Sequence, residues 1–168
     1  SIIQISIGVL AVILAILIII MMGIVSDIQG TARIVNYTGL VRGETQRLIK
    51  LELSTQQENE MIHEIRTFID GLRNGNDELN LVRLDDVDFQ NKMQELDDKF
   101  SDLYKKIHLV RFKGARNTDI IPESEEFFVI CDEATGLAEK YSQKKATSLS
   151  LLEKYITADI VVLMLLIG

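Results

Sequence analysis

From Ser1 to Ser26 the chain has no Asp, Glu, Lys, Arg or His, and nearly every side chain is aliphatic. A helix rises about 1.5 Å per residue, so about 20 apolar residues cross the hydrocarbon core of a bilayer, and Ile2 to Val25 supplies them. A secretory signal has a shorter apolar region, about 7 to 15 residues, closed by small residues at a cleavage site. Gly23-Ile24-Val25-Ser26 is a poor match to that pattern, so residues 1–26 read as an uncleaved membrane helix. A second apolar run, Ile160 to Gly168, follows Asp159 and is too short to span. Half a helix would leave backbone groups unpaired in lipid, so residues 156–168 read as the start of a second span cut off at Gly168.

The polar segment between them has helical periodicity. Phe89, Met93, Leu96, Phe100, Leu103, Ile107 and Val110 alternate steps of four and three, the spacing of a heptad seam. A second seam runs Ile62, Ile65, Ile69 and Leu72 with Phe68 beside it, and ends at the turn-prone Asn74-Gly75-Asn76-Asp77. A third starts after Pro122, where a first-turn proline is tolerated, and runs Phe127, Cys131, Ala134, Ala138, Tyr141 and on to Leu152 and Tyr155. The first polar helix carries Ile28, Val35, Ile49 and Leu53 on one stripe and Ile34, Val41 and Leu48 on a neighbouring one. Breaks fall near Ser54 to Asn59, Asn74 to Asp86 and Lys113 to Ile121. The pattern predicts an all-α fold: an antiparallel up-down-up-down four-helix bundle over residues 27–155, with helices 1 and 4 continuous with the membrane helices.

Composition narrows the classes further. A single proline, few aromatics and no Trp argue against a β-sandwich or barrel. The net charge of −7 disfavours nucleic acid or an anionic lipid surface as partner. One cysteine, Cys131, can form no internal disulfide, so stability has to come from packing. On its seam, Cys131 reads as a small buried apolar group.

The motifs of catalysis are missing: there is no Gly-rich phosphate loop, no paired-cysteine metal motif and no His spaced to share a metal. No catalytic residue, metal or cofactor is expected, and the chain is not read as an enzyme. His63 and His108 read as surface or boundary residues, and Asp85-Asp86-Val87-Asp88 as acidic groups opening a helix rather than a calcium loop. Asp159 is costly so near a span and suits an interface or a partner helix.

The stretch from Ala32 to Leu48 breaks helical rules. Gly39 and Gly43 each cost about 1 kcal/mol relative to Ala within a helix, and Arg42 falls on the line of Ile28, Val35 and Ile49. Such violations concentrate at functional sites. In one reading the glycines admit a second copy of the helix, and two Arg42 side chains at the dimer axis bind a small anion between them. In the other, Arg42 extends outward or pairs with Glu44 or another bundle carboxylate. Spacing alone leaves both open.

Asn36, Gly39, Arg42, Arg47 and Leu48, in the order N-x-x-G-x-x-R-x-x-x-x-R-L, resemble the sensor domain shared by nitrate/nitrite sensor histidine kinases and the type IV pilus chemotaxis-transducer N-terminal family. The resemblance implies that Arg42 contacts an anion at a dimer axis and that Asn36, Gly39, Gly43 and Arg47 surround the site. Gly43-Glu44-Thr45 departs from that pattern by adding a negative charge. The same stretch is similar to input regions of receptors that end in diguanylate cyclase or kinase modules. The expectation is therefore a membrane-embedded, homodimeric input region of a bacterial receptor, joined through helix 1. Its sensor segment would lie outside the plasma membrane, binding a small ligand and driving a cyclase, kinase or chemotaxis output inside. The alternative is a ligand-independent helical stalk or dimerisation module.

Overall fold

The computed structural model describes Ser1–Gly168 and is all-α, with helices α1 (Ile2–Leu53), α2 (Asn59–Asn74), α3 (Val87–Lys113) and α4 (Ile120–Ile167) and no named strand. Helix ends fall at the three breaks read from the sequence. Asp86 opens α3, its side chain accepting the Phe89 N–H at 2.9 Å, which is the capping role expected of that acidic run. Gly75 and Gly114 follow α2 and α3 with φ of 86° and 84°, values glycine adopts without strain, and their N–H groups donate to Gly71 O and Val110 O.

The chain divides into two compact units, one of residues Gly30–Lys140 and one joining Ser1–Gln29 to Tyr141–Gly168. In the larger unit every member of the α2 and α3 seams read from the sequence is buried. Phe127, Cys131, Ala134 and Ala138 of α4 are fully buried beside them. Phe100 and Phe127 meet at 5.7 Å between ring centroids, and Phe68, half-buried, stands edge-on to Tyr37 at 5.2 Å. Arg66 of α2 lies over Phe100 and Tyr104 of α3, and Arg73 of α2 bonds Asp97 and Gln94 of α3. Lys92 of α3 reaches Glu133 of α4 at 2.7 Å, and Lys99 reaches Glu123 at 2.7 Å and Glu126.

The segment between α2 and α3 belongs to the core. Asn76 and Leu81 exchange two backbone hydrogen bonds of 2.8 Å, the Asn76 side chain accepts from the Leu79 N–H, and Leu81 and Leu84 are buried. Gly71 makes room for it: a Cβ there would stand 3.0 Å from Leu81 Cδ1 and 3.2 Å from Asn76 Cβ.

Of the two stripes read on α1, the one carrying Ile34, Val41 and Leu48 faces inward, and from the other only Ile49 is buried. The inward stripe runs Thr31, Ile34, Thr38, Val41, Thr45, Leu48 and Glu52, again in steps of three and four. Val35 and Arg42 lie half-buried on its flank. Threonine can stand at a seam because its hydroxyl bonds back to the helix or across it. Thr38 Oγ1 donates to Val35 O at 2.8 Å, and Thr135 Oγ1 of α4 donates to Thr38 Oγ1 at 2.8 Å. The line of Ile28, Val35 and Arg42 is the flank of the inward stripe.

In the smaller unit, Lys145 meets Asp27 at 2.9 Å and lies 5.3 Å from the Tyr141 ring centroid. Hydrogen bonding to Asp27, opposed by burial, raises the Lys145 pKa. The apolar part of α1 exposes its side chains, Ile2, Ile5, Val12 and Ile19 among them. By length and composition α1 is the one helix able to cross a membrane. Asp159 is buried, and its Oδ2 has no hydrogen-bond partner.

Candidate functional site

Arg42 leaves the flank of α1 toward α4. Its Nε lies 2.9 Å from Asp132 Oδ1, and its guanidinium carbon stands 5.4 Å from the centroid of the Phe128 ring. The contact to Asp132 is one of charge rather than alignment, since the Nε atom is buried without hydrogen-bond geometry to any acceptor. The terminal nitrogens of the fork make no hydrogen bond within the chain. Side-chain exposures of 39% for Arg42 and 63% for Asp132 place the pair at the bundle surface, where water screens it. One turn along, the Thr38–Thr135 hydroxyl contact forms a second polar rung between α1 and α4.

The structure separates the other residues of the N-x-x-G-x-x-R motif from Arg42. Asn36, Gly39 and Gly43 are exposed and line a shallow groove on the outer face of α1 with Val35, Leu40 and Glu44. No atom of the chain comes within 4 Å of a Cβ built at Gly39 or Gly43, so neither glycine serves packing inside this chain. Arg47 is exposed, with its Nη1 3.7 Å from Glu44. Of the two readings of Arg42, its partner within the chain is a bundle carboxylate, Asp132 rather than Glu44.

Three features escaped sequence reasoning. The first is a buried ionic cluster where the α1–α2 connection meets the end of α3. Glu52 is 3% exposed and takes Arg111 Nε on Oε2 at 2.8 Å and the Glu58 N–H on Oε1 at 3.1 Å, while Arg111 Nη1 donates to Asn59 Oδ1 at 2.7 Å. Burial pushes the Glu52 carboxyl up, but the hydrogen bonds from Arg111 and Glu58 and the Arg111 charge outweigh it and hold its pKa below the ordinary value. Its signal in the sequence was position: Glu52 stands seven residues after Thr45 on the inward stripe.

The second is Thr45, fully buried with an unpartnered hydroxyl. The third is a groove where apolar Ile49, Leu53, Ile121 and Phe128 meet Lys50 and Glu125, sharing Phe128 with the Arg42 pair.

Cys131 is buried beside Asp132, and burial first, then the neighbouring carboxylate, push its thiol up to about 12. His63 and His108 are exposed, the latter edge-on to Tyr104. No group of three His, Cys, Asp or Glu side chains is arranged to hold a metal ion. Chemically, the site offers a guanidinium fork with free terminal donors, one carboxylate neighbour and an aromatic backing. Comparison of the chain with protein-family models, curated proteins and solved structures yields no match.

Proposed function

We propose that this chain is the signal-input region of a bacterial transmembrane receptor. Its segment 27–155 lies outside the plasma membrane and binds a small anion at Arg42. The observation that carries the reading is on one helix. α1 bears an apolar stretch fit to cross a bilayer and, further along, an arginine tied to α4 by a single surface ion pair. The up-down-up-down order is supported by pairings in which rising numbers on one helix meet falling numbers on its neighbour: Arg73 with Asp97 and Arg66 with Phe100, Lys92 with Glu133 and Lys99 with Glu126, Thr38 with Thr135 and Arg42 with Asp132. Helices α1 and α4 then both lead to the membrane, and the apolar end of α4 enters it. The open groove at Gly39 and Gly43 suits a second copy of α1, giving a homodimer. Anion binding moves α1 against α4 by an angstrom or two, and the shift reaches a cytoplasmic cyclase, kinase or chemotaxis module. The chain itself has no catalytic role in this scheme.

A second reading, a ligand-independent dimerisation stalk, draws on the same ion pair, since Asp132 already supplies Arg42 with an anion. A chimera placing this chain before a histidine kinase output separates the two. A receptor responds to an added anion with changed phosphorylation, and Arg42→Ala abolishes the response. A stalk gives constant phosphorylation with every anion and with either residue at position 42.

A further inference from the structure

We infer that Asp132 is the internal occupant of the Arg42 site, a carboxylate that an external planar oxyanion displaces when it binds. The inference rests on the anion-binding role of Arg42 proposed above and adds its resting state. Three observations carry it. Asp132 approaches Nε at 2.9 Å, yet the N–H is not directed at it, so the contact lacks the alignment of a settled charge-assisted bond. Asp132 has no other partner in the chain and is 63% exposed, so on leaving Arg42 it returns to water at little cost. Phe128 backs the face of the guanidinium, so an oxyanion comes at its edge, and a planar one that takes Nε and a terminal nitrogen as parallel donors, in a bidentate fork, takes the place of Asp132 at Nε.

Arg42 belongs to α1 and Asp132 to α4, so displacement does more than free a site. It removes the charged tie between the two helices and leaves the neutral Thr38–Thr135 contact, which is how occupancy at Arg42 becomes a change in how α1 and α4 are held. Asp132 therefore sets the affinity threshold of the site.

The test uses the full chain in phosphatidylcholine nanodiscs with nitrogen-15 arginine. The Arg42 Nε–Hε resonance, identified by its loss in Arg42→Lys, is followed during titration with sodium nitrate and, separately, sodium acetate at ionic strength held constant with sodium chloride. Exposed ion pairs are weak, so Asp132→Asn is expected to bind about 2 to 5 times more tightly than the parent. Glu139→Gln removes the same charge from an exposed position seven residues along α4 and is expected to leave the affinity unchanged. If the parent binds and Asp132→Asn binds equally or less tightly, Asp132 orients Arg42 rather than occupying its site. The inference is then overturned while the Arg42 reading stands. If Glu139→Gln tightens binding as much as Asp132→Asn, general charge explains the gain and the inference also falls. If neither the parent nor Asp132→Asn responds to either anion, the Arg42 reading and the inference are lost together.

Discussion

Glu52 and Thr45 stand on the inward stripe of α1 with Leu48 between them, and opposite stability effects are expected on removing their polar groups. Glu52→Ala strands Arg111 beside an unmet Glu58 N–H, at an expected loss of about 3 kcal/mol, read as a lower denaturant midpoint at pH 7. Because the folded Glu52 pKa lies below its unfolded value of about 4.3, its stabilisation is present at neutral pH and is lost as pH falls through the folded pKa. Acid unfolding of Glu52→Gln should lack that component, and parallel acid curves for the two proteins would contradict it. Thr45→Val exchanges a buried, unpartnered hydroxyl for a methyl and is expected to raise stability by about 1 kcal/mol, whereas Thr38→Val sacrifices the contact from Thr135 and should not. Calorimetric melting of the two variants checks the contrast. Cys131, buried and with its thiol pushed up to about 12, is expected to resist alkylation at pH 8 until the bundle unfolds.

At the scale of the helices, glycines separate internal packing from packing against something else. Gly71→Ala would press a Cβ against Leu81 and Asn76 and is expected to cost about 1 to 3 kcal/mol, despite the better helix propensity of alanine. Gly39→Ala and Gly43→Ala meet nothing within the chain, so each should stabilise the monomer by about 1 kcal/mol. If a second α1 covers that face, the same substitutions should weaken self-association in analytical ultracentrifugation, and unchanged association would count against the helix 1 dimer. These elements also mark what was legible in the sequence. The α2 and α3 seams could be read directly because Ile, Phe, Leu and Met repeat there without interruption. The α1 seam was legible only in part: Ile34, Val41 and Leu48 marked it as one of two stripes, but Thr31, Thr38 and Thr45 between them are residues a hydropathy pattern does not register as core. Leu81 and Leu84 were missed as core because their burial depends on an irregular turn lodged against Gly71. For the candidate site, Arg42 stood out through the glycines around it, but Asp132 lies 90 residues away in sequence and only the fold pairs them.

For the whole molecule, the proposal is that anion occupancy at Arg42 is sensed by a bundle whose first and last helices lead to the membrane. The most direct measurement is thermal unfolding of the full chain in detergent micelles against a panel of small anions, carried out in parallel on Arg42→Ala. A ligand at about 100 times its Kd adds about 2.7 kcal/mol to stability, a rise in midpoint of roughly 5 to 10 °C for a chain of this size. Expected is a rise with at least one anion that Arg42→Ala abolishes. A parent whose midpoint no anion moves, together with an Arg42→Ala variant as stable or more so, would contradict the sensor reading and leave the stalk in its place.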